Sequence, residues 1–124
     1  MLYLIGLGLN EKGYSREAYD VIKEADEVYV DTYTIEFPYD FQEIVKQFKG
    51  KKFIPAGREF VEGLGFLDKA KEKDIVLLVY GSPLVATTHS VIIKESLEKK
   101  IKIKIIHSGS ILDAVAETGN SVKY

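Results

Sequence analysis

A chain of 124 residues that is 46% hydrophobic and 29% charged is long enough for one real core and too apolar for intrinsic disorder. Seventeen basic residues against nineteen acidic ones leave a net charge of -2, which removes the global positive field that nucleic-acid binding needs. The absence of cysteine excludes disulfides, thiolate metal sites and a cysteine nucleophile but leaves the compartment open, and the apolar start is too short to span a bilayer; the ordinary composition makes a cytoplasmic domain that binds neither membrane nor nucleic acid the default expectation.

Leu2 to Ile5 form a short apolar run closed by Gly6 and Gly8, the pattern of a strand covered on both faces. Ser15 is placed to cap a helix in which Ala18, Val21, Ile22 and Ala25 recur at helical spacing, and Val28 to Val30 is a second strand. Asp40 with Glu43 makes a start like a capping box for a helix whose apolar stripe is Phe41, Ile44, Val45 and Phe48 and whose stop is Gly50. Phe53 and Ile54 give a brief strand before Pro55, and Glu59 to Lys71 reads as a helix weakened by Gly63 and Gly65.

Ile75 to Val79 is the most hydrophobic stretch and predicts a central parallel strand, with a turn from Tyr80 to Leu84. Ser90 to Lys99 follows as a helix with Ile93 and Leu97 on one face. Ile101, Ile103 and Ile105 alternate with Lys102 and Lys104, which marks a half-exposed strand. Ser110 and Asp113 form a capping pair for a short helix through Glu117, ended by Gly119.

Strands alternating with helices predict an α/β fold: an open, mainly parallel five-stranded sheet with helices on both faces, in one domain over residues 1–124. Ligands of such sheets bind outside the carboxyl ends of the strands. Small and polar residues collect there after strands one, four and five, in Gly6-Leu-Gly8, Gly81-Ser-Pro83 and His107-Ser-Gly-Ser110.

Gly6, Gly8 and Asp31 begin like a dinucleotide fingerprint, but Glu11 stands in place of the third glycine and the helix begins late, which disfavours a pyrophosphate on its N-terminus. No phosphate-binding P-loop occurs, and His89 and His107 lie too far apart for a helical metal motif, so no metal is expected. Ser82, Ser108 and Ser110 stand outside any nucleophile elbow, and helix capping accounts for Ser110. Lys99, Lys100, Lys102 and Lys104 read as a solvated face.

Together, Met1-Leu-Tyr-Leu-Ile-Gly-Leu-Gly-Leu9, Asp31-Thr-Tyr-Thr34, Gly81-Ser-Pro-Leu-Val-Ala-Thr-Thr-His89 and Ile106-His-Ser-Gly-Ser-Ile111 resemble the diphthine synthases of the tetrapyrrole methylase fold. The block from Pro83 to His89 is the specific one, and the resemblance runs through the whole chain in order. It implies methyl transfer from S-adenosylmethionine (SAM) to the modified histidine of translation elongation factor 2 in diphthamide biosynthesis, without a metal. It also implies a cofactor site lined by Leu9, Ser82, Val85, Ser110 and Ile111. In-line displacement at a sulfonium methyl mainly requires alignment and exclusion of water, and no catalytic residue is assigned.

Two departures from the family pattern shape the expectation. Ser82 stands where the family carries an aspartate, and the sequence ends at Tyr124 where the family continues into a second α/β domain. The chain is therefore expected to be a methyltransferase half, incomplete alone, with a separate C-terminal-half polypeptide or a second copy of itself as partner. A non-catalytic SAM-binding or interaction module is the alternative. Methylation of a tetrapyrrole or of ribosomal RNA fits the fold but not the Pro83 to His89 block.

Overall fold

The computed structural model describes residues 1–8, 12–31, 40–57, 66–80 and 90–108. In chain order the elements are β1 (Leu2–Gly6), α1 (Arg16–Glu24), β2 (Glu27–Asp31), α2 (Gln42–Val45), β3 (Phe53–Ala56), α3 (Phe66–Lys69), β4 (Ile75–Val79), α4 (Ser90–Glu98) and β5 (Ile103–Ile106).

The five strands form one sheet in the order β3-β2-β4-β1-β5, and every pairing is parallel. β4 is buried along its whole length because it is paired on both sides and covered on both faces, which is why its sequence is continuously apolar. The chain steps from β1 through β2 to β3 in one direction and returns through β4 to β5 in the other. Right-handed crossovers then place α1 and α2 on one face of the sheet and α3 and α4 on the opposite face.

The two core layers have this composition. Ala18 and Ile22 of α1, with Ile44 and Phe48 of the α2 region, pack on Ile5, Val28, Val30, Val76, Leu78 and Ile106. Leu67 and Ala70 of the α3 region, with Ile92 of α4, pack on Leu2, Leu4, Tyr29, Ala56, Ile75 and Leu77. Alternation along each strand sends successive side chains to opposite layers, so each buried pair couples both faces to one backbone.

Local signals hold at several element ends. The Ser15 hydroxyl oxygen accepts a hydrogen bond from the Ala18 amide at 3.1 Å and caps α1. Gly50 turns the chain at φ 77°, whereas the expected Asp40–Glu43 box does not close: Asp40 Oδ1 accepts from the Gln42 amide at 2.9 Å, Phe41 is the cap residue of α2, and the Glu43 carboxylate accepts from Lys46. Three readings change. α2 spans only Gln42–Val45, and turn hydrogen bonds from Gln47 and Phe48 carry its apolar stripe onward to the core. β3 continues through Pro55, because as an edge strand it tolerates a residue with no amide donor. On α4 the buried positions are Ile92 and Ser96, with Ile93 packed beside them, whereas Leu97 is 67% exposed. The buried Ser96 hydroxyl donates to the Ile92 carbonyl at 2.7 Å, which satisfies its polarity inside the core. Of the helix expected over Glu59 to Lys71, residues 59–65 lie outside the described residues, as does the expected helix after Ser110.

Candidate functional site at the strand carboxyl ends

Register fixes which strand ends are level. Gly6 of β1 pairs with Val79 of β4, Ile5 pairs with Ile106 of β5, and the Leu7 amide donates to the Val79 carbonyl at 2.8 Å, extending the β1–β4 ladder past the strand. Asp31 follows the Val30–Leu78 pair and so reaches the same level on the far side of β4. The ends of β4, β1 and β5 are immediate neighbours, spanning roughly 10 Å at ordinary strand spacing. From that row the chain leaves β1 toward α1 on one face and β4 toward α4 on the other. Connections that part in opposite directions leave a crevice between the strands they follow, the usual ligand position in an open parallel sheet.

A contact between distant segments locks this end. Gly8 has φ 76°, and a Cβ added there would lie 2.6 Å from the Gly13 carbonyl oxygen and 2.8 Å from Ser108 Oγ. Ser108 Oγ in turn donates to the Gly13 carbonyl at 2.8 Å. The end of β1, the approach to α1 and the end of β5 thus meet at three small residues, where a side chain at position 8 would separate them.

The remaining described groups define the chemistry on offer. Asp31 is 1% exposed and shares the α3/α4 face with its register partner Ala56, while His107 is exposed and Tyr80 half-buried. Among the described residues, the strand ends carry the Asp31 carboxylate, the His107 imidazole, hydroxyls and backbone groups, and Lys12 stands in the β1–α1 connection between Gly8 and Gly13. α1 begins at Arg16, and the Ser15 hydroxyl accepts the Ala18 amide at its N-terminus.

The residues expected to line the site, Leu9, Ser82, Val85, Ser110 and Ile111, all lie outside the described residues. Their described neighbours Gly8, Tyr80 and Ser108 follow the three adjacent strands β1, β4 and β5. Ser108, weighed from sequence as a nucleophile, instead serves as a donor to a backbone carbonyl. Its pairing with Gly13 across 95 residues has no local sequence signal. Two of the four lysines read as a solvated face are ion-paired: Lys104 with Glu17 at 2.6 Å and Lys99 with Asp68 at 3.6 Å. Among the described residues no group of three potential metal ligands occurs, and no helix is long and apolar enough to cross a membrane.

Comparison with known proteins places these features. A diphthine synthase of Staphylothermus marinus is 41% identical over 96% of this chain and 47% of its own length. A diphthine methyl ester synthase of Saccharomyces cerevisiae is 37% identical over 96% of this chain and 41% of its own length. A crystal structure of diphthine synthase superposes with a TM-score of 0.85 at 42% identity, covering 93% of this chain and 47% of that one. The chain thus spans about half the length of the curated relatives it matches. The sequence profile of the Tetrapyrrole (Corrin/Porphyrin) Methylases matches residues 1–121, and the chain belongs to that family.

Proposed function

We propose that this chain is the cofactor-binding half of a SAM-dependent methyltransferase of the diphthine synthase kind, acting in the cytoplasm on the modified histidine of translation elongation factor 2. The observation that carries the reading is the similarity to diphthine synthases along 96% of the chain, in the same order as the strands. The adjacency of β4, β1 and β5 supports it, since the proposed lining residues Leu9, Ser82, Val85, Ser110 and Ile111 all follow those three strands in sequence.

Bound at the strand ends, the cofactor supplies a methyl group activated by its sulfonium charge. The chain's own part is to hold, orient and dehydrate. On this reading, backbone groups around Gly8 and the hydroxyl at Ser82 hold the cofactor. One sheet supplies one wall of a cleft, whereas in-line transfer needs donor and acceptor held together with water excluded. The second wall is a further polypeptide segment, equivalent to the half of the relatives that this chain does not match, or a second copy of the chain.

Amide chemical-shift mapping with S-adenosylhomocysteine tests the site. Shifts centred on Gly8, Tyr80 and Ser108 are expected, and shifts confined to the outer surface of α1 and α2 overturn it. Radiolabelled methyl transfer to modified elongation factor 2 tests the division of labour. We expect transfer only when a polypeptide resembling the C-terminal half is added, and robust turnover by the chain alone overturns that division.

A second reading, a SAM-binding or interaction module without catalysis, is favoured by one feature. Ser82 offers a neutral hydroxyl where the family carries a carboxylate, which removes a charge-assisted contact to the cofactor. Cofactor binding without methyl transfer, even with the second half supplied, distinguishes it.

A further inference from the structure

Resting on the reading of the strand ends as a SAM site, we infer that Ser108 is a positioning residue for cofactor binding, acting through the Gly13 carbonyl rather than on the cofactor. Three observations carry this. Ser108 Oγ donates to the Gly13 carbonyl at 2.8 Å, joining the end of β5 to the approach to α1. Gly8, at the end of β1, sits so close that a Cβ on it would meet both the Gly13 oxygen and Ser108 Oγ. Gly8 also holds φ 76°, a left-handed conformation that keeps its neighbours at this distance.

The consequence is mechanical. Gly8 and Gly13 bracket the β1–α1 connection, and the Ser108 hydroxyl fastens the later bracket at the level of the earlier one. Holding Gly8 and Gly13 in place leaves less to be ordered when a ligand binds beside them, and that ordering cost is what weakens binding when such a clasp is missing. The end of β5 and the approach to α1 are thereby joined, although 95 residues separate the hydrogen-bonded pair. The sheet does not depend on the bond, because β1 and β5 are already zipped from Leu2 to Ile5.

Titration of the chain with S-adenosylhomocysteine, followed by amide shifts, measures the effect of Ser108→Ala and Ser108→Thr. Ser108→Ala is expected to weaken binding roughly three- to tenfold, the range that loss of one such hydrogen bond commands. Its ligand-free thermal midpoint stays within about 3 °C of the parent chain, since the paired strands remain intact. Ser108→Thr keeps the donor and is expected within about twofold of the parent. Equal affinity of the parent chain and Ser108→Ala overturns this inference and leaves the site assignment standing. A Thr variant as weak as the Ala variant also overturns it, because the hydroxyl is then not what matters. If the parent chain itself does not bind, the site assignment falls and this inference falls with it.

Discussion

The Tyr29 hydroxyl donates to Glu27 Oε1 at 2.6 Å, across two residues at the start of β2. Lys73 and Lys69 reach the same carboxylate at 2.9 and 3.3 Å, and Lys69 Nζ also donates to the Tyr29 oxygen at 3.2 Å. This cluster lies at the amino ends of the strands, opposite the crevice, and ties α3 to the sheet.

Its pH dependence follows from the carboxylate. The hydrogen bonds from Tyr29 and then Lys73, against a smaller opposing effect of burial, lower the Glu27 pKa from 4.5 to about 2. A depressed pKa means that the folded state binds its proton more weakly than the unfolded chain. The stabilisation is therefore complete above about pH 4.5 and is lost as pH falls toward 2. Glu27→Gln is expected to lower stability at pH 7 by on the order of 1 kcal/mol and to flatten the acid limb of the stability curve between pH 5 and 2. Urea unfolding across that range measures both, and an unchanged acid limb contradicts the assignment.

Gly8→Ala tests the closure at the other end of the sheet. The added Cβ would meet a backbone oxygen at 2.6 Å, at a positive φ that non-glycine residues adopt with strain. We expect a loss of about 2 to 4 kcal/mol by chemical denaturation, combining left-handed strain with steric displacement of Gly13. A loss below about 0.5 kcal/mol would show that the connection swings away at no cost.

Lys100 offers the opposite experiment. It ends α4 with φ 59°, where the Ile101 amide donates to the Ser96 carbonyl at 2.8 Å and the Lys100 amide to Leu97 at 3.2 Å. Glycine reaches that conformation without a Cβ penalty, so Lys100→Gly is expected to stabilise the chain by about 0.5 to 1 kcal/mol. Thermal unfolding of the two variants decides the sign, and a lower midpoint for the glycine variant refutes it.

Ser82→Asp supplies the carboxylate that the resemblance to diphthine synthases implies at the proposed cofactor site. A charge-assisted hydrogen bond is stronger than a neutral one by about 1 kcal/mol or more, which corresponds to roughly five- to tenfold tighter binding of SAM. Calorimetric titration measures the difference. Unchanged or weaker affinity would mean that position 82 does not face the cofactor.

The strands were legible where burial on both faces leaves an unbroken apolar run, as in Leu2 to Ile5 and Ile75 to Val79, and helix starts were legible where a short polar side chain meets a local amide, as at Ser15. Errors arose where a long-range partner changed the rule. Pro55 reads as a strand stop until its place at the sheet edge makes its missing donor harmless. Leu97 reads as part of one apolar face with Ile93, yet the buried positions of α4 are Ile92 and Ser96 and Leu97 is exposed, because the packing of the helix on the sheet selects a different face.

Residue pattern alone determined the alternation of strands and helices, the parallel sheet that alternation requires, and the three loops rich in small residues, because periodicity, capping and turn chemistry act within a few residues of chain. Resemblance in the Pro83 to His89 block pointed to the family. Only the tertiary structure decided that β4, β1 and β5 are neighbours, and that Gly8, Gly13 and Ser108 meet at their ends. Those are relations between segments up to 95 residues apart, set by crossover handedness and by the close packing of small residues, and neither leaves a local trace in the order of amino acids.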